Sequence, residues 1–259
     1  MRKLIAFCAS LVCLALVAAP SFAEDSRAEP SPDRTVDEPT DFNREIYYKN
    51  KLELALDEGW LWYNTPLILD PLLGEGFHQY PGLPSYTLAP LIFSLRWHIY
   101  DISGRSFWRG NTDFTFGASY TAIVKGPESY YVPVIAGFRY NFVQPNWRIA
   151  PYFEMRGGMG FTDARQPWEV AHHQNNIGQG QDFTFTFMFG GGIRYNFNPR
   201  YSISLACTYM HISNLYLSEP RYFNHAVNVV GPSIGFNVAL QRAALKDIFR
   251  AFGAAHTTQ

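Results

Sequence analysis

Between about residues 50 and 240 the chain carries apolar side chains at every second position in eight successive stretches, separated by segments rich in Gly, Pro, Asn and Asp. Alternation of this kind predicts strands, because successive side chains point to opposite faces. The sixth stretch is the clearest: Phe183, Phe185, Phe187, Phe189, Ile193, Tyr195 and Phe197 share one parity, and Asp182, Thr184, Thr186, Arg194 and Asn196 take the other. The remaining strands are predicted over about 52–63, 85–100, 111–125, 130–142, 148–161, 201–213 and 226–240.

Strands of this length can cross a bilayer at a tilt, and an even number can close into a ring without leaving an edge. We therefore expect an all-β protein, an eight-stranded antiparallel transmembrane β-barrel over residues 46–241. An eight-stranded barrel has an interior just filled by side chains. Arg96, Asp113, Arg139, Glu154, Arg156, Asp182 and Arg194 lie on the inward parity. Their mixed signs predict ion pairs that plug the lumen, so the barrel is not a pore. Gly157-Gly158 and Gly190-Gly191-Gly192 precede no helix start and are not phosphate cradles. They are expected to relieve crowding where a small barrel bends.

Composition agrees with a membrane wall. Aromatic residues make up 17% of the chain, with 21 Phe and 16 Tyr, yet the mean hydropathy is slightly negative. A helical membrane protein would be far more hydrophobic, whereas alternating aromatic and polar positions suit a barrel that is greasy outside and polar inside. The formal net charge of −1 offers no basic footprint for nucleic acid. Residues 1–23 have the features of a secretory signal: Arg2 and Lys3, an apolar run, then Ser21-Phe22-Ala23. Removing it leaves Cys207 as the lone cysteine, so no intrachain disulfide is expected. Residues 24–45 are acidic, Pro-rich and expected to be a disordered leader. Residues 242–259 form a tail, in which the spacing of Ala244, Ile248, Phe249 and Phe252 predicts a short periplasmic helix.

Loop lengths orient the barrel. Periplasmic turns are short and extracellular loops longer. With both termini periplasmic, the long connections 64–84, 163–180 and 214–225 face outward. The short ones, 143–147 and 198–200, face the periplasm, and only 126–128 departs from the trend. The extracellular end of the seventh strand then carries the most informative residues of the chain. Tyr201, Ile203, Leu205, Cys207 and Tyr209 share the greasy parity, and His211 and Ser213 continue it. A histidine two residues from a serine on one strand face has the makings of a base beside a nucleophile, and the greasy face points to a greasy substrate. Asn228 begins the eighth strand at the same height. His172 and His173 near Glu169 fall in a polar loop without convergent ligands, so no metal is expected there.

Three runs sharpen this: Tyr209-Met-His-Ile-Ser-Asn-Leu215, Asn224-His-Ala-Val-Asn228 and Gly231-Pro-Ser-Ile-Gly-Phe236. Together with Val132-Pro-Val-Ile-Ala-Gly-Phe-Arg-Tyr-Asn-Phe142, Ala150-Pro-Tyr-Phe-Glu154 and Phe187-Met-Phe-Gly-Gly-Gly-Ile-Arg-Tyr195, they resemble the outer-membrane lipid A 3-O-deacylases (PagL-like) and their acyloxyacyl-hydrolase-like relatives. The resemblance covers most of 105–240. It implies a barrel in the outer membrane with a serine hydrolase site on its lipid-facing surface. It further implies Ser213 as nucleophile, His211 as general base, and Asn214 and Asn224 as residues for oxyanion or substrate binding. The family's type has a glutamate after the downstream Asn to hold the histidine. Here the matching position is Asn228, with Glu219 in the preceding loop as a fallback acid. No cofactor is implied. The expected partners are lipopolysaccharide as substrate and the outer membrane, with a homodimer left open. Two other readings stay open at this point: a non-catalytic barrel for adhesion or envelope integrity, and an esterase acting on phospholipid.

Overall fold

The computed structural model describes residues 41–62, 85–172, 178–222 and 226–240. The signal, most of the leader and the tail with its expected helix lie outside the described residues. The described chain forms strands β1 (Leu52–Gly59), β2 (Leu61–Trp62), β3 (Thr87–His98), β4 (Gly110–Lys125), β5 (Tyr130–Phe142), β6 (Ile149–Thr162), β7 (Phe183–Asn196), β8 (Tyr201–Ser213) and β9 (Val227–Ala239). A short helix, α1 (Gln166–Ala171), lies between β6 and β7. From β2 onward each strand pairs antiparallel with the next, and β1 pairs with both β3 and β9, which closes the ring. β1 and β2 are two parts of one stave, so the barrel has the eight staves expected. The interruption at Trp60 has a local cause. Gly59 and Trp60 run between Pro90 on β3 and Pro232 on β9, neither of which has an N–H to donate to the ladder. The Trp60 N–H still donates to the Pro232 carbonyl at 3.0 Å.

The alternation sorts side chains as expected. Leu56, Phe93, Trp97, Phe116, Val134, Phe138, Phe153, Phe161 and Phe236 are exposed on the outside. A belt this apolar belongs in hydrocarbon. The twelve residues of β3, rising about 3.3 Å each at a tilt near 40°, give a wall about 30 Å tall, the thickness of a bilayer core.

The lumen is packed in layers. Towards the termini, Glu53 takes both ends of the Arg194 guanidinium at 2.7 and 2.8 Å and the Lys51 ammonium at 2.8 Å. Above it, Arg96 forks onto Asp57 at 3.1 and 2.9 Å, and Glu154 accepts from Arg139 at 2.6 Å and Arg156 at 2.8 Å. A cavity of about 20 Å³ lined by Asp57, Glu154 and Arg156 has room for about one water. Asp182 departs from the expected lumen set: it is exposed beyond the start of β7, accepting the Ala164 N–H at 2.9 Å. Glu53, Asp57 and Lys51 supply the counter-charges instead.

A second difference lies higher in the barrel. The half of the lumen near the long loops is apolar, filled by Leu61, Leu88, Ile92, Met188, Met210, Ile212 and Val229 among others. Both faces of β8 are therefore greasy at its end, and only the parity tells them apart. Of the glycines, Gly158 and Gly192 behave as expected: a Cβ would lie 2.3 Å from the Val134 carbonyl oxygen and 2.2 Å from that of Leu205, respectively. Gly157 does not, since nothing lies within 4 Å of its would-be Cβ.

Residues 41–45, assigned to the leader, are folded. Asp41 caps a 3₁₀ turn over Phe42–Glu45 by accepting the Asn43 N–H, and its carboxylate also pairs with Arg109 at 2.5 Å. Ile46 and Tyr47 then bury against Val143 and Ala150 and close the lumen at that end. The described ends of the barrel chain meet here, with the Leu240 N–H donating to the Leu52 carbonyl at 2.8 Å. The short connections 143–148 and 197–200 share this rim, while 163–182 and 214–226 lie at the opposite one.

Candidate active site

β8 and β9 pair so that His211 stands directly opposite Asn228. On the other side β7 sets Phe187 against His211 and Phe185 against Ser213. Directly opposed residues in an antiparallel pair hold their Cβ atoms about 5 Å apart, close enough for an amide to reach an imidazole. The side chains meet: His211 Nδ1 and Asn228 Oδ1 are 2.7 Å apart, and His211 Nε2 lies 3.1 Å from Ser213 Oγ. An amide oxygen only accepts, so Nδ1 carries the ring proton and Nε2 presents its lone pair to the serine hydroxyl. The imidazole is tethered at both nitrogens, and the backbone carbonyl of His211 accepts from Thr186 Oγ1 at 2.9 Å. This gives a serine hydroxyl on a base, with the base on an orienting group.

The surroundings are dry on one side and greasy on the other. His211 and Asn228 are half-buried, and Ser213 is only 3% exposed despite its outward parity. After Asn214 the chain turns sharply through Leu215 and Tyr216, both at positive φ (50° and 62°). The buried Asn214 amide donates to Ser218 Oγ at 2.7 Å, and Ser218 Oγ donates to the Tyr222 carbonyl at 3.0 Å. The returning loop packs against Gly180, where an added Cβ would meet Ser218 Oγ at 2.4 Å. Asn214 thus braces the loop beside the serine. Leu215, Tyr216 and Leu217 project from that loop, all more than half exposed.

Of the residues singled out in the sequence, His211, Ser213 and Asn228 come together. Asn214 adjoins them, and Asn224 lies outside the described residues. Glu219 is exposed in the loop, and the place at Nδ1 is taken by Asn228. Sequence reasoning missed Tyr209, whose hydroxyl donates to the same Asn228 Oδ1 at 2.7 Å. Its parity, two residues before His211 on the same face, is the signal that could have marked it.

The model of the lipid A 3-O-deacylase (PagL) family matches residues 92–237, more than half of the chain and the whole run from β3 into β9. The chain belongs to this family. No curated protein matches it. Among solved structures, it is similar to the outer membrane enzyme PagL (17% identity, covering 72% of this chain and 98% of that one, TM-score 0.44). It is also similar to the Neisserial surface protein A (14% identity, 72% and 96%, TM-score 0.47) and to OprG of Pseudomonas aeruginosa (10% identity, 76% and 99%, TM-score 0.39). As a barrel of the lipid A 3-O-deacylase family, the protein resides in the outer membrane of a Gram-negative cell.

Proposed function

We propose that this family member is a serine esterase that removes the ester-linked 3-hydroxyacyl chain from the 3-position of lipid A, at the outer rim of the barrel wall. The observation that carries the reading is the hydrogen-bonded series Asn228–His211–Ser213 on the outward face of β8 and β9. A lipid's acyl esters lie where head groups meet chains, the height of the strand ends. A site on the outer wall can meet such an ester without extracting the lipid from the leaflet.

Ser213 Oγ attacks the ester carbonyl as its proton passes to His211 Nε2. The imidazolium keeps its Nδ1–H on Asn228 Oδ1. Asn214 and Asn224 are the candidate donors to the oxyanion, a role in which one hydrogen bond is worth about 10²–10³ in rate. The C–O bond then breaks, and Nε2 returns the proton to the sugar oxygen, which leaves as a free hydroxyl. Water, deprotonated by the same nitrogen, attacks the acyl-serine and releases a 3-hydroxy fatty acid, restoring the serine.

The test is direct. The refolded protein is incubated with lipopolysaccharide, and lipid A is followed by mass spectrometry. Loss of one hydroxyacyl chain by the wild type, abolished in Ser213→Ala, is expected. Unchanged lipid A with a folded barrel would overturn the proposal, and fatty acid released from phospholipid alone would redirect the substrate.

A further inference from the structure

We propose that Tyr209 is a positioning residue of this site: its phenol holds the Asn228 amide oxygen-first towards His211 and so selects the histidine tautomer able to act as a base. The proposal rests on the esterase reading above for its catalytic meaning, and on geometry for its mechanism.

An amide has two unlike ends. With Oδ1 at Nδ1, the ring proton sits on Nδ1, and Nε2 can accept from Ser213. With Nδ2 there instead, Nδ1 becomes the acceptor and the ring proton moves to Nε2. That nitrogen then donates to the serine and cannot take its proton. A carboxylate presents oxygens at both ends and leaves no such choice, so an acid in this place needs no help. Replacing the acid by its amide in a serine protease costs about 10⁴ in turnover, through the wrong tautomer. A chain that carries Asn at this position therefore needs a group that distinguishes oxygen from nitrogen.

Tyr209 is built to do so. It stands directly across from Val230 and is therefore the diagonal neighbour of Asn228 on the same outward face, a spacing that aromatic side chains can bridge. Its hydroxyl reaches Asn228 Oδ1 at 2.7 Å, so that two donors, the phenol and Nδ1–H, converge on one oxygen. A phenol is a better donor than acceptor, and a flipped amide would turn an N–H towards that donor. Tyr209 is only 4% exposed and its ring packs on Phe189 with centroids 4.7 Å apart. The hydroxyl is therefore held in place and shielded from exchange with solvent.

The experiment compares Tyr209→Phe in two backgrounds, wild type and Asn228→Asp, with refolding checked by heat-modifiable gel migration. In the wild-type background kcat should fall about 10- to 100-fold with KM little changed, the effect of one buried hydrogen bond. In the Asn228→Asp background the same change should move kcat less than about threefold, because the carboxylate needs no orienting. Imidazole ¹⁵N shifts of His211 should report the Nδ1–H tautomer in the wild type and a shift towards Nε2–H in Tyr209→Phe. An unchanged tautomer, or an equal loss of kcat in both backgrounds, would overturn the proposal. Deacylation that survives Ser213→Ala would overturn the esterase reading instead, and the ¹⁵N measurement would still decide the positioning.

Discussion

Asn228→Asp exchanges one NH₂ for an oxygen at constant shape, opposite a histidine whose Nδ1 already lies 2.7 Å away. In the proposed mechanism His211 becomes a cation on taking the serine proton, and an aspartate would stabilise it where an amide does so only through its dipole. Two unit charges about 4 Å apart at an effective dielectric near 20 attract by about 4 kcal/mol. The carboxylate must itself be partly desolvated, since Asn228 is half-buried, and that cost of a few kcal/mol offsets much of the gain. A net of about 2 kcal/mol is an increase of about 30-fold in kcat. The assay is hydroxyacyl release from lipopolysaccharide by the refolded protein, run beside Asn228→Ala, which should lose at least tenfold because nothing then holds the ring. Activity equal to wild type in both variants would remove Asn228 from the mechanism. Glu219 would then be the next carboxylate to replace.

Three further outcomes follow from the barrel itself. Glu53→Gln leaves Arg194 and Lys51 facing a neutral group where Glu53 and both cations are buried. It should destabilise the barrel by about 3 kcal/mol, read as a lower urea midpoint by tryptophan fluorescence in vesicles, and an unchanged midpoint would contradict the layer described. Gly158→Ala should impair refolding because its Cβ would lie 2.3 Å from the Val134 oxygen, while Gly157→Ala should be neutral because its side is open; equal refolding yields would refute the contrast. At the outer rim, burial raises the Asp163 pKa, but the backbone N–H groups of Ser129 and Tyr130 outweigh it and hold the carboxyl below its ordinary value. A lowered folded pKa means that this tie between turn and loop is intact above the unfolded value and weakens as pH falls through the folded one. The Ser129 amide resonance should therefore shift only below about pH 4, and not at all in Asp163→Asn.

In the proposed mechanism, an amide at position 228, where the resemblance implies an acid, changes how the site is controlled. A carboxylate both orients the base and stabilises its cation. Asn228 keeps the first role only if its orientation is held from outside, and Tyr209 is placed to hold it. Activity here would depend on a phenol one residue pair away from the base, on the wall that lipid touches.

The barrel was readable from the chain because alternation is a local property: each strand's wall and lumen faces follow from a period of two. The contact between His211 and Ser213 was readable for the same reason, since the two lie two apart on one strand. Even the partner across the ladder, Asn228, could be anticipated from parity and height. Other features depend on which strands become neighbours and in what register. The apolar upper lumen escaped notice because Ile92, Met188, Met210 and Ile212 interrupt the polar parity of separate strands and form one cluster only when the ring closes. Glu53 emerged as the hub of the lower layer only once Lys51 and Arg194, well separated along the chain, converged on it.

Asp182 kept inward parity in the sequence but falls past the last ladder pair of β7, where the strand no longer dictates direction. Tyr209's bond to Asn228 joins diagonal positions on two strands, and a diagonal exists only after register is set. Period two assigns each residue a face; a partner on that face is assigned by the closed hydrogen-bond ladder, whose register depends on all eight staves together.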